Sequence, residues 1–212
     1  MILNFPPDIL CHQLKKQLEK RLPGSISHTK MLPAGRDLGM PSEQLHYHES
    51  AVLILLFPFQ QHIMICLIRR PGTMKNHAGQ IAFPGGKREK EDENLVQTAL
   101  REAYEEIGVP VESVVIIGEL SNVYVQISAF LIKPVLGWLN EKPEIKMDAS
   151  EVDEVIFISL EDLADHGNRC ERMMDTRTGS ISAPGFEIDG LFIWGATAMM
   201  LAELIDIYQG MS

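Results

Sequence analysis

Glu102, Glu105 and Glu106 stand close behind Arg101 and a short way after the turn Phe83-Pro84-Gly85-Gly86. Hard divalent cations take oxygen ligands, and carboxylates at i, i+4 on a helix have Cβ atoms about 5–6 Å apart, so they repel when bare and can clasp such an ion between them. Arg101 lies four residues before Glu105 and can brace it, fixing one carboxylate while the others coordinate. The paired glycines let bare backbone approach a ligand. A solvated acidic face is the ordinary explanation of glutamates on a helix. Here they crowd one arc beside an apolar stripe and follow a Gly-Gly turn, which favours a metal site.

The helix that must carry them is well marked. At roughly 100° per residue, Val96, Ala99, Leu100, Ala103 and Ile107 form one apolar stripe and the glutamates share the neighbouring arc. Asp92, Glu93 and Asn94 give an acidic start able to cap it, and Gly108 followed by Pro110 gives the stop. Upstream, 9–22 reads as an amphipathic helix, followed by a linker with Pro and Gly to about 44. Residues 1–45 are thus expected to form an N-terminal helix and linker, a candidate docking arm, and 46–212 the main domain with a C-terminal helix. Strands are expected over 51–57 and His62–Arg69, paired around a turn at 58–61, with 80–83 leading into the glycine turn. Further strands are expected over 114–120, 128–135 and 152–158, then a short helix over 160–165. Residues 140–150 read as a polar loop able to cover a substrate. Residues 169–189 read as a hairpin turning at Thr176-Arg177-Thr178-Gly179, ahead of an apolar helix over 196–208. No internal repeat or low-complexity tract is visible. Strands with helices on either side predict an α/β/α sandwich.

Composition narrows the class. A chain of 212 residues, 45% hydrophobic, suits one globular domain with extensions and can bury a substantial core. The run 51–57 is too short to span a bilayer, and the apolar stretch 196–207 carries Glu203 and Asp206. Asp8 stands where a signal peptide would want basic residues, so a soluble cytoplasmic protein without membrane attachment is expected. Cys11, Cys66 and Cys170 are odd in number and far apart, which argues for reduced thiols rather than disulfides or a zinc knuckle. Nineteen basic residues against 29 acidic ones give a formal net charge of −10, a poor footprint for nucleic acid. A small phosphorylated substrate fits if local cations or bound metal reverse the field. His46 and His48 share a strand face but lack partnering Cys or Asp, so no zinc site is expected. Trp194 and the pair Met173-Met174 read as core or pocket-lining residues.

Gly86, six residues, Glu93, seven residues, then Arg101-Glu102-Ala103-Tyr104-Glu105-Glu106-Ile107-Gly108-Val109 resembles the signature of the Nudix hydrolases. It departs by one extra residue before Glu93 and by the small Ala103. Leu67, Arg70, Gly79, Phe83, Pro84, Gly85 and Gly86 keep the spacing of a second motif, so the segment resembles the coenzyme A pyrophosphatases. Cys66, Ile68, Pro71 and Lys75 depart from that pattern, and Lys75 keeps the charge of an arginine without its bidentate fork. The stretch around His77 and that from Ile193 to Ala198 also look like that subgroup.

The resemblance implies a mixed-sheet α/β/α sandwich and Mg²⁺- or Mn²⁺-dependent cleavage of the diphosphate of coenzyme A or acyl-CoA into 3′,5′-ADP and a 4′-phosphopantetheine fragment. Glu102 and Glu106 would bind the ion, with the Gly85 carbonyl a further ligand, Glu105 a bridging ligand or the base, and Arg101 their support. Glu93, Glu119 and Glu151 remain alternatives for the base. Arg70, Lys75, Gly79 and Phe83 would meet substrate, and Arg69 and Lys87 lie near enough to help hold phosphates, as does His77. Two rivals remain: another Nudix substrate, such as ADP-ribose, NADH or an oxidised nucleotide, and a non-catalytic Nudix sensor. The full carboxylate set argues against the sensor. A homodimer through the N-terminal helix is left open.

Overall fold

A computed structural model describes residues 6–39, 46–72, 79–176 and 179–211. Lys75, His77, Arg177 and Thr178 therefore lie outside the described residues. In chain order the elements are α1 (Pro7–Leu18), α2 (Ser25–His28), β1 (His48–Phe59), β2 (His62–Arg69), β3 (Ile81–Ala82), β4 (Gly85–Lys87), α3 (Leu95–Ile107), β5 (Val115–Glu119), β6 (Val123–Val125), β7 (Phe130–Trp138), β8 (Glu154–Ser159), α4 (Leu160–Ala164), β9 (Arg169–Thr176), β10 (Gly179–Ile188), β11 (Leu191–Trp194) and α5 (Gly195–Gln209).

The unbroken apolar run of β1 makes it the centre of the molecule, because a strand covered on both faces needs no polar alternation. Ala51, Leu53, Leu55 and Phe57 face one hydrophobic cluster with Ala99, Ala103 and Ile107 of α3. Ile54 and Leu56 face the other, with Leu201, Leu204 and Ile205 of α5. β1 runs antiparallel to β2 and β4 and parallel to β7, with Leu53 opposite Val135, so the sheet is mixed. Gln60 and Gln61, both at positive φ, form the two-residue hairpin loop between Phe59 and His62. The sheet order is β3-β2-β1-β7-β5, with β8 paired to β2 and β6 to β7.

Helices on both faces of this sheet make the α/β/α sandwich that the sequence predicts. Apart from Glu203 and Asp206, α5 is apolar, and it is buried along most of its length, as suits a helix enclosed by its neighbours. It also packs against β10 and β11, which with β9 form a separate antiparallel sheet. No helix among the described residues is long and apolar enough to cross a membrane.

The stretch expected as a linker contains α2 and a 3-10 turn at Thr29–Met31, packed on α5. A buried polar cluster holds it there. Glu203, on α5 and fully buried, accepts from the Gly24 amide at 3.0 Å, pairs with His28 Nε2 at 2.9 Å and accepts from Ser121 Oγ at 2.7 Å. Asp206, one turn on, takes Ser27 Oγ and Lys30 Nζ. The polar loop at 140–150 is fastened to the end of α3, with the Lys146 amide donating to Ile107 O and the Asp148 amide to Glu106 O.

Candidate active site

α3 delivers its glutamates to the glycine turn because both ends of the helix are fixed. Asn94 caps it, its Oδ1 accepting from Gln97 N at 3.0 Å, while Gln97 Oε1 accepts from Glu93 N at 2.6 Å. Gly108 ends it at φ +72°, in the left-handed region, its amide donating to Tyr104 O at 2.9 Å. With Ala99, Ala103 and Ile107 buried, Glu106 is carried inward to 2% exposure, whereas Glu105 stays exposed.

The turn and the helix fit through the two glycines. β4 pairs with β1, Gly85 opposite Val52 and Gly86 opposite Ala51. At Gly85 φ is +153°, and a Cβ there would stand 2.6 Å from Val52 Cα. Its amide donates to Glu106 Oε2 at 2.8 Å. A Cβ on Gly86 would stand 2.6 Å from Glu102 Oε1, so the Glu102 carboxylate occupies the space a side chain would fill.

Arg101 links the acidic groups. Its Nε and Nη2 donate to both oxygens of Asp92 at 3.0 and 3.1 Å, Nη1 reaches Glu105 Oε2 at 2.8 Å and Nη2 lies 2.9 Å from Glu102 Oε1. Nη2 also donates to Lys87 O at 3.2 Å, tying helix to turn. The acid that meets Arg101 is therefore Asp92, not the exposed Glu93 that the signature spacing selects; the extra residue falls after the paired acid, not before it. Asp92 is 4% exposed and also accepts from Glu89 N and Thr98 Oγ1, both at 2.9 Å. The Arg101 bond, chiefly, draws its carboxyl down to about 2. In the sequence Asp92 was visible only as a helix-start residue; its neighbour Glu93 fitted the spacing better.

Glu102 and Glu106 are shifted the other way. Burial pushes Glu106 up to about 8, opposed by the Gly85 amide and the Arg70 charge and reinforced by Glu102 and Glu151. Burial also raises Glu102, with Arg101 opposing. Two partly dehydrated carboxylates short of positive charge are what a hard dication would relieve, so these residues fit one. Among the described residues no three His, Cys, Asp or Glu side chains form a closed cage.

The other candidates divide. Arg70 acts on Glu106 electrostatically, and its Nε is buried without a hydrogen-bond partner among the described residues. Gly79, at φ +67°, donates its amide to Arg70 O at 3.1 Å, closing the segment that Arg70 opens. Phe83 is 1% exposed and packs in the α5-side core, behind the turn. Arg69 is engaged by Glu154 at 2.9 Å, and Glu119 by Lys133 at 3.0 Å. Glu151 acts on both Glu102 and Glu106. Met173, expected in core or pocket, is 67% exposed on β9.

These layers and this site define a class: a mixed-sheet sandwich whose paired glycines seat the carboxylates of one helix. Residues 47–175 match the family model described as NUDIX domain, and the chain belongs to the Nudix hydrolase family. It is 32% identical over 161 residues to an uncharacterized Nudix hydrolase NudL of Yersinia enterocolitica, covering 74% of this chain and 80% of that protein. The NudL of Cronobacter sakazakii is 33% identical over 168 residues, 78% of this chain and 85% of the other. Two solved structures share the fold. The Nudix hydrolase RenU of M. smegmatis has a TM-score of 0.54 at 18% identity, over 78% of this chain and 88% of its own. A MutT protein from Methanosarcina mazei has a TM-score of 0.52 at 19% identity, over 79% and 99%.

Proposed function

We propose that this Nudix hydrolase splits the diphosphate of coenzyme A or an acyl-CoA into 3′,5′-ADP and the (acyl-)4′-phosphopantetheine fragment, in the cytoplasm. Mg²⁺ or Mn²⁺ would be held by Glu102 and Glu106 with Glu105 and the Gly85 carbonyl. Such an ion neutralises phosphoryl oxygens and lowers the pKa of water. Arg101 keeps the carboxylates apart and aimed, anchored on Asp92. Arg70, whose Nε has no partner among the described residues, binds a phosphate oxygen through a charge-assisted hydrogen bond, and the resemblance makes Lys75 a second cation for the substrate.

The base is assigned to Glu151. Glu105 is held by Arg101 and points to solvent, whereas Glu151 is felt by both buried glutamates and follows a loop pinned to the Glu106 carbonyl. Glu151 would take the proton from the attacking water and so direct its oxygen at phosphorus.

The observation that carries the coenzyme A reading is Arg70: the second motif runs through it to Gly79 and the glycine turn, its Nε is buried with no hydrogen-bond partner among the described residues, and its charge is felt by Glu106. The test is divalent-ion-dependent hydrolysis of coenzyme A, acetyl-CoA, dephospho-CoA, ADP-ribose and NADH, with products identified by mass. Preferential release of 3′,5′-ADP is expected. Faster cleavage of ADP-ribose or NADH would keep the chemistry and overturn the substrate, and unchanged turnover in Glu102→Gln and Glu106→Gln would overturn the ion site.

A further inference from the structure

One row of residues across the main sheet joins the glycine turn to β7. Ala51 of β1 stands opposite Gly86 of β4 on one edge and opposite Lys133 of β7 on the other. Residues in register put their side chains on the same face of a sheet. Ala51 and Val135 belong to the cluster packed by α3, so Lys133, two residues before Val135, projects on the α3 face as well. The Glu102 carboxylate rests on Gly86 on that face, and the residue between Gly86 and Lys133 carries only a methyl group. At roughly 4.8 Å per strand, the Lys133 backbone stands about 10 Å from that of Gly86, a spacing that lets one phosphate lie between its ammonium and an ion held on Glu102.

Lys133 already holds an anion there. Glu119 stands opposite Val135 and so shares the face, with its Oε2 3.0 Å from Lys133 Nζ. Both side chains are partly exposed, and ion pairs in that setting contribute little to stability, so the pair is cheaply exchanged. A phosphate oxygen brought close by a bound ion and gripped by the ammonium is the stronger partner.

We infer that Lys133 is a substrate-binding residue that exchanges Glu119 for a phosphate of the diphosphate. The substrate is then held from both edges of β1, by Arg70 and the α3 carboxylates on one and by Lys133 on the other. Glu119 is a stand-in anion that competes with substrate, neither the base nor a ligand to the ion. The inference rests on the proposed diphosphate hydrolysis and adds a contact to it that does not depend on coenzyme A being the substrate.

The test is calorimetric titration of the full chain, with Mg²⁺ present, by an ADP analogue whose bridging oxygen is replaced by a methylene, which blocks cleavage. Lys133→Gln should weaken binding about 10-fold, as expected for loss of a charge-assisted hydrogen bond, and Lys133→Arg should restore most of it. Glu119→Gln should tighten binding about threefold by removing the competing anion. That gain should vanish in the Lys133→Gln background, because there is no ammonium left to release. Urea unfolding of each variant checks that the fold is kept. A pair that only braces the sheet would weaken binding in both single variants or in neither, and a general charge effect would make the two changes additive; either result overturns the inference, as does failure of the wild type to bind. Lys133-dependent binding without turnover of coenzyme A overturns the proposed substrate and keeps the inference, whereas turnover of coenzyme A with binding indifferent to Lys133 does the reverse.

Discussion

Burial sets what each glutamate of α3 can do. Glu106 is the extreme case, its carboxyl raised from an ordinary value near 4.5 to about 8. Between those pH values the metal-free folded chain holds a proton that the unfolded chain has released, so this group's contribution to stability is present below 4.5 and falls away as pH rises through 8. The effect is of order a few kcal/mol, at about 1.4 kcal/mol per pKa unit. Thermal unfolding of the metal-free protein between pH 5 and 8.5, taken as wild type minus Glu106→Gln to cancel the general charge effect, is expected to show that loss, and Mg²⁺ should restore the wild type alone. For the base, Glu151→Gln should lower kcat by roughly 10²- to 10⁴-fold. Glu105→Gln should cost less, and steady-state kinetics showing the reverse order would return the base to Glu105. Asp92→Asn loosens Arg101 and should lower kcat with a loss of about 1–3 kcal/mol in stability, whereas Glu93→Gln should change neither. Activity and urea unfolding of the two variants decide which acid belongs to the site.

At the scale of elements, the meeting of β4 with α3 makes the two adjacent glycines answer to different constraints. Gly85 faces β1 backbone at positive φ, and backbone cannot step aside. Gly85→Ala should therefore destabilise the fold by about 1–3 kcal/mol. Gly86 faces only the end of the Glu102 side chain, which can swing away. Gly86→Ala should leave the unfolding free energy within about 0.5 kcal/mol of wild type while turnover collapses. Helix α3 was legible beforehand because its signals are local: an apolar stripe, Asn94 at the start, Gly108 at the end. The hairpin of β1 and β2 was legible for the same reason. α2 was not, since a four-residue helix has no period to read and is held by Glu203, 175 residues away from His28 in sequence.

For the whole molecule, that distant contact joins the N-terminal segment to α5 and the main sheet. Burial opposes ionisation of Glu203, yet the bonds from His28, Ser121 and the Gly24 amide outweigh it and hold its carboxyl below the usual range. Glu203→Gln leaves His28 facing a neutral amide and should cost about 3 kcal/mol of unfolding free energy, with kcat of the folded fraction unchanged, as measured by urea denaturation and activity. A loss of kcat without loss of stability would instead tie this cluster to catalysis. Sequence alone determined the class of this protein, because the chemistry-bearing residues lie within one turn-helix unit whose spacing, caps and apolar stripe are local. It also determined the layers, because the run 51–57 of β1 is apolar on both faces and α5 is apolar but for Glu203 and Asp206, so both must be enclosed. Only the tertiary structure decided which acid of Asp92 and Glu93 faces Arg101, that Glu106 rather than Glu105 is buried, and that Phe83 faces the core. Those outcomes separate neighbouring residues by a single step of rotation or loop path, and only the surfaces packed against them distinguish the two directions.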